Sequence, residues 1–293
     1  MRSDIEKAIQ LLKRGDDGAM DKAVALLQGS VFAFSMRICG QRQDAEDTMQ
    51  EVLVKSLAYL PNFDSPKALA VWLYKVAKSR CLMNRRRSKF APKEDLSLEE
   101  LTPDRAELER LNGSVGVSPE AVAIRGEQGQ RVREAIRRLP PNHRIIIVLR
   151  DMEGLTDEEV AEITGLQPGT VRVRLHRARL FVRKEMAKGQ SVSSRSAARL
   201  PGKVKEPSRS GRCKKMFAAL SDYLDGELDD FSCEEIETHM DGCEPCKKFL
   251  RDLEATVKRC EASPAEAPDP KKTASMRKKL LSAYSRALAA ARN

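Results

Sequence analysis

The chain has 293 residues, enough for two or three small domains rather than one large core. Aromatic residues are only 4% of it and charged residues 33%, which suits several small helical units, and a net charge of +10 points to a polyanionic partner. No run reaches the length of a membrane span and the start, MRSDIEKAIQLLKRG, lacks a signal-peptide core, so a cytoplasmic setting is expected.

Residues 1–87 read as helical throughout. Ile5, Ile9 and Leu12 repeat at helical spacing until Gly15-Asp16-Asp17-Gly18 breaks the run. A second helix is expected from Met20 to about Cys39, and a third from Asp44 to Leu60, stopped by Pro61-Asn62. A fourth starts after Ser65-Pro66 and runs through Trp72 to about Arg87. On the third helix Asp44, Glu46, Asp47, Gln50 and Glu51 form an acidic and amide face, while Val52, Leu53 and Leu57 supply its apolar side. The fourth helix sets Trp72, Leu73, Tyr74 and Val76 beside Lys75, Lys78, Arg80 and the run Arg85-Arg86-Arg87. Rings next to cations are what opening a duplex requires, because flipped bases stack on ring faces while cations hold phosphates. Trp72 fits core packing equally well. Cys39 and Cys81 fall within helical patterns and read as small buried side chains.

This stretch, DAEDTMQEVLVKSLAYLPNFDSPKALAVWLYKVAKSRCLMNRRR, resembles region 2 of the extracytoplasmic-function (ECF) subfamily of bacterial sigma factors. The resemblance implies that Asp44, Glu46, Asp47, Gln50 and Glu51 dock on core RNA polymerase. It also implies that Trp72, Lys75, Lys78, Arg85 and Arg86 serve recognition and melting of the −10 promoter element, with Phe63 on the loop Asn62–Ser65 that captures a flipped base. Ser79 departs from the asparagine of some members, so the −10 preference does not carry over.

From 91 to 118 the pattern dissolves into Pro, Ser and acidic residues, a linker signature. Helical pattern resumes at 119 and continues to 188. Within it Thr156 is placed to cap a helix Asp157–Thr164 whose first turn is acidic, Gly165 suits a left-handed turn, and Pro168 opens the next helix. In that second helix Val171, Leu175, Ala178 and Val182 should pack inward. Arg172, Arg174, Arg177, Arg179 and Arg183 then project around the rest with no acid before Glu185. This is the pattern of a helix-turn-helix that enters a major groove, with Thr170, Arg172 and Arg174 on bases and the later Arg177 and Arg179 on phosphates. The stretch LPPNHR, LRDMEGLTDEEVAEITGL and GTVRVRLHRAR is similar to ECF region 4, which reads the −35 element. Regions 2 and 4 in this order, covering residues 1–90 and 119–188, imply promoter DNA as a partner beside core polymerase.

A basic linker, 189–211, leads to a Cys/His segment at 212–260. His239-x3-Cys243-x2-Cys246 offers two thiolates and an imidazole at zinc-ligand spacing, and Cys213 would supply a fourth ligand. The segment resembles the zinc-binding anti-sigma domain, in which a cysteine begins the first helix and H-x3-C-x2-C joins the next two. Cys233 and Cys260 lie outside that pattern and read as free thiols. A break at 261–272 precedes a basic amphipathic helix, 273–293, with Met276, Leu280, Tyr284 and Leu288 on one stripe. It suits docking on the sigma unit or a loose tail better than a membrane surface.

The expected fold is all-α: two small helical sigma domains joined by a linker, plus a small zinc-binding helical domain. The expected function is promoter-specific transcription initiation, modulated by the fused domain through intramolecular docking or by a separate regulator. No nucleophile pairing, phosphate loop or carboxylate pair suggests an enzyme. The rival reading is a metal- or redox-responsive helix-turn-helix regulator that binds DNA without polymerase.

Overall fold

The computed structural model describes residues 2–14, 18–57, 59–63, 65–86, 96–103, 121–190 and 211–292. Every regular element among them is helical, as the periodicity predicts. The expected linkers at 91–118 and 189–211 lie largely outside these residues. The chain divides into two compact units, residues 1–93, 155–166 and 264–293 in one, 94–154 and 167–263 in the other.

The first unit is built on α1 (Arg2–Arg14), α2 (Ala19–Cys39), α3 (Arg42–Leu57) and α4 (Pro66–Arg86). Its core is Ile5, Val24, Leu27, Phe32, Phe34, Val52, Leu53, Leu69, Leu73 and Tyr74. Among the described residues α2 is the one helix long and apolar enough to cross a membrane, and two thirds of its apolar window is buried inside this bundle. It is a core helix, and its apolar character is spent on packing. Gly40 ends it in the left-handed region, returning its N–H to the Met36 carbonyl at 3.0 Å, where a side chain would be strained. Helix α3 stops at Leu57, short of the expected Leu60, because Leu60–Asn62 form a separate 3-10 turn around Pro61.

Cys39 and Cys81 are buried, as expected. They also form a disulfide, which helical pattern does not announce, joining the end of α2 to α4 with Cα atoms 5.4 Å apart. The two lie 42 residues apart in sequence, and only the packing of α2 against α4 brings them together.

The later part of the chain runs α5 (Leu98–Leu101), α6 (Ala121–Arg138), α7 (Pro141–Ile147), a π turn (Val148–Met152), α8 (Asp157–Thr164), α9 (Pro168–Gln190), α10 (Gly211–Asp225), α11 (Asp230–Gly242), α12 (Glu244–Glu261) and α13 (Pro270–Arg292). Helices α8 and α13 belong to the first unit and the others to the second. Helix α8 carries a full capping box: Thr156 Oγ1 accepts from the Glu159 N–H at 3.3 Å, and Glu159 accepts from the Thr156 N–H at 3.0 Å. Val171, Leu175, Ala178 and Val182 are all buried, the inward stripe read from the spacing. In the second unit an apolar cluster of Leu101, Leu180, Met216, Phe217, Leu220, Ile236, Met240, Phe249 and Leu253 ties α5 and α9 to α10–α12. Phe217 and Phe249 meet edge to face with centroids 4.7 Å apart.

Candidate polymerase, promoter and metal sites

Helix α3 carries the acidic face expected for polymerase. Asp47 and Gln50 are exposed, and Asp44, Glu46 and Glu51 are half-buried. Glu51 pairs with Lys55 at 2.8 Å and Arg80 at 2.7 Å, and the hydrogen bond from Lys55 leads the causes that lower its carboxyl pKa. Glu46 pairs with Arg42 on its own helix and with Lys272 of α13 at 3.2 Å.

Next to α3, helix α4 places Trp72 half-buried between Tyr59 and Phe63, with ring centroids at 5.9 and 6.0 Å. The rings border a cleft of about 430 Å³ lined by Phe63, Ser65, Lys67, Val71, Trp72 and Lys75. Trp72 therefore serves packing and surface at once, with one face on its neighbours and another on the cleft. Its partner Tyr59 is 54% exposed, and nothing in the spacing of the sequence separates this ring from a core aromatic. The cations beside the cleft are already engaged. Lys75 pairs with Glu162 of α8 at 2.9 Å, Lys67 with Glu159 at 3.4 Å, and Lys78 donates to the Ile163 carbonyl at 2.7 Å. Burial and then the Lys75 ammonium lower the Lys78 pKa. Arg85 and Arg86 end α4, and Asp64, Arg87 and the side chains of Arg85 and Arg86 fall outside the described structure.

In the second unit Thr170, Arg172, Arg174 and Arg177 lie half-buried along the first turns of α9, with Val173 exposed between them. Arg179 departs from the expected phosphate contact. It is 2% exposed and forks onto Asp151 of the π turn, Nε to Oδ2 at 2.9 Å and Nη2 to Oδ1 at 2.6 Å. Its outer edge donates to both oxygens of Asp225, at the end of α10, at 2.8 Å. Burial opposes the charge on Arg179, but these two carboxylates outweigh burial and hold the guanidinium protonated more firmly than a free arginine. Beside it His176 Nδ1 meets Ser221 Oγ of α10 at 2.8 Å. Burial, then Arg179 and Arg177, push the His176 pKa down to about 4, so the imidazole is neutral. Arg183 completes the row, stacked 4.8 Å over the Phe249 ring and 3.4 Å from Asp252 of α12. The sequence signalled the arginines but not these partners, which come from elements far along the chain.

The metal motif converges at the end of α11 and the start of α12. One ligand atom each from His239, Cys243 and Cys246 lies within 4.8 Å of the others, and His239 Nε2 is 3.3 Å from Cys246 Sγ. A tetrahedral zinc with Zn–S of about 2.3 Å and Zn–N of about 2.0 Å separates its ligand atoms by roughly 3.5–3.8 Å, so the donor set and spacing fit that ion. Cys213 lies in α10, but its side chain is outside the described structure. Cys233 and Cys260 are free thiols, as expected, and burial pushes the Cys260 pKa up.

Comparison with known families matches these parts in order. Residues 23–90 match Sigma-70 region 2, residues 129–182 match Sigma-70, region 4, and residues 213–247 match a putative zinc-finger. The RNA polymerase sigma-H factor of Pseudomonas aeruginosa is 30% identical over 189 residues, covering 62% of this chain and 93% of that protein. The chain belongs to the ECF sigma-factor family. The ECF RNA polymerase sigma factor SigE of Mycolicibacterium smegmatis is 32% identical over 189 residues, or 62% of this chain and 68% of that one. SigW of Bacillus subtilis is 28% identical over 182 residues, or 62% of this chain and 96% of its own. As an ECF sigma factor, the protein directs transcription initiation by RNA polymerase and is not an enzyme. The reading as a regulator acting apart from polymerase is set aside by this membership.

Proposed function

We propose that this ECF sigma factor binds core polymerase through Asp44, Glu46, Asp47, Gln50 and Glu51 of α3, and opens the −10 element with Phe63, Trp72, Lys75, Lys78, Arg85 and Arg86. Thr170, Arg172, Arg174 and Arg177 read the −35 element in the major groove. Arg179 joins them only after it leaves Asp225. The fused zinc module restrains region 4 by docking on α9. The observation that carries this reading is the Arg179 clasp, in which a carboxylate of α10 takes the guanidinium edge that would otherwise face a phosphate. The protein acts in the cytoplasm, where polymerase and promoters are.

His239, Cys243 and Cys246 would hold zinc, with Cys213 as the fourth ligand. The ion would supply a cross-link between the end of α11 and the start of α12, adding its binding energy to the folding of a small module. Cys246 is itself part of the cluster that receives Leu180 of α9, so the metal site and the docking surface share one core. Loss of metal or oxidation of a thiolate therefore loosens both.

Transcription by core polymerase from a genuine target promoter tests the proposal. The full chain, its Asp225→Ala variant and a chain ending at Lys188 are compared. A strong rise for both altered proteins supports a built-in restraint. Equal activity from all three reduces the module to a structural attachment.

A further inference from the structure

The outer face of α9 is not cationic along its centre. Over its first ten residues the exposed positions are Gly169 and Val173, four apart and therefore on one face. Arg177 continues that strip one turn further, and Thr170, Arg172 and Arg174 flank it, all four half-buried. Val173 is 52% exposed, one of three large apolar side chains left exposed among the described residues.

Neither Gly169 nor Val173 is there for the helix. Glycine and β-branched residues are weak helix formers, and at exposed positions no packing offsets that cost. A Cβ on Gly169 would meet nothing within 4 Å, and its backbone is not left-handed. Neither crowding nor φ therefore requires a bare position at the start of α9. What the two residues do produce is a smooth uncharged strip with cationic borders.

Valine has no donor or acceptor, so it bonds to neither a phosphate nor a polar base edge. It can only bury apolar surface. The major groove presents donors, acceptors and one apolar group, the 5-methyl of thymine. The bordering arginines favour a polyanion over an apolar protein surface. We propose that Val173 reads a thymine of the −35 element, its isopropyl group packing on the 5-methyl while Thr170, Arg172 and Arg174 bond to neighbouring base edges. The proposal rests on the reading of α9 as the helix in the major groove and adds a base identity to it. The bare Gly169 lets the first turn approach the groove closely, which brings Val173 within reach of the base edges.

Binding of promoter DNA by holoenzyme, assembled from core polymerase and the full chain, decides the matter. Each thymine of a genuine target −35 element, on either strand, is replaced in turn by deoxyuridine, which removes the methyl and keeps the pairing. At one position the wild type should lose about fourfold in affinity, the worth of burying one methyl-sized group. Val173→Ser should bind the thymine promoter more weakly by a similar factor and not distinguish thymine from deoxyuridine there. Val173→Thr keeps a methyl on the branch and should restore the distinction. Arg174→Ala tests the underlying reading by removing most of the dependence on −35 sequence. If Arg174→Ala leaves that dependence intact, the reading of α9 fails and Val173 loses its groove. If Arg174→Ala removes it while the wild type ignores every deoxyuridine, the thymine contact is overturned and the reading of α9 stands. If Val173→Ser weakens binding to core polymerase instead, the strip is a protein contact and the proposal is overturned.

Discussion

Arg179 and Asp151 meet through two parallel hydrogen bonds, at 2.9 and 2.6 Å, with each side chain 2% exposed. Removing one partner leaves a buried, uncompensated charge. Arg179→Ala should therefore lower the unfolding free energy by about 3–5 kcal/mol in urea titrations. Asp225→Ala leaves that inner pair whole and takes away only the contribution of α10. Its cost should be smaller, about 1–3 kcal/mol, and appear as earlier proteolysis of residues 211–261. Equal costs for the two would contradict the division of roles.

His176 makes stability depend on pH. Its folded pKa, about 4, lies below the ordinary 6.5, so the unfolded chain binds the proton more readily. Stability is whole above about 6.5, is lost as pH falls, and levels out below about 4. The full difference amounts to roughly 3 kcal/mol. Urea midpoints between pH 7.5 and 4.5 should fall less steeply in His176→Gln than in the wild type. Parallel slopes would mean that the histidine is not the group responsible.

The cleft on α4 gives a salt-dependence prediction. Lys75 lines the cleft with Trp72 and Lys78 follows it three residues on along α4, and each phosphate contact releases roughly 0.7–0.9 counterion. Lys75→Ala with Lys78→Ala should reduce the log–log salt slope of promoter binding by the holoenzyme by about 1.5. Loss of the exposed Lys75–Glu162 pair should cost the free protein under about 1 kcal/mol. An unchanged slope in the double variant would place these lysines off the DNA.

Metal removal bears on the second unit. Chelation, or Cys246→Ser, should lower far-UV ellipticity from α10–α12 and expose residues 211–261 to protease, and one zinc per chain should reverse both effects in the chelated wild type but not in Cys246→Ser. A folded, protease-resistant module in chelator would make the His239–Cys243–Cys246 cluster incidental.

The Cys39–Cys81 bond closes a loop 42 residues long in sequence separation, worth about 4 kcal/mol in the chain-entropy view. A reductant at cytoplasmic strength should lower stability by an amount of that order, and Cys39→Ser should reproduce the loss. If the reduced and oxidised proteins unfold at the same urea concentration, the loop is held by packing alone.

Much of this architecture was written locally. The stripe Val171, Leu175, Ala178 and Val182 follows from helical period, and Thr156–Glu159 from the short reach of a capping box. His239, Cys243 and Cys246 are close in sequence, so spacing alone could bring their ligand atoms together. Arg179 shows where such reading stops. A basic helix with no acid before Glu185 advertises a free cation, yet the partners of Arg179 lie 28 and 46 residues away on other elements. Nothing in the period of α9 announces them. The same holds for Cys39 with Cys81, and for Gln28, whose partners on α13 are about 245 residues distant.

The contact between Arg179 and Asp225 belongs to a single polypeptide, and that sets its concentration dependence. A separate inhibitor is governed by how many copies of each protein a cell makes, and an excess of activator overwhelms it. A clasp carried on the same chain does not dilute. Under the restraint proposed for the fused module, the clasped fraction is the same whether the cell holds few copies or many, and overexpression alone does not free the reader. Only a change in chemistry at the clasp, or a competitor for it, shifts the balance.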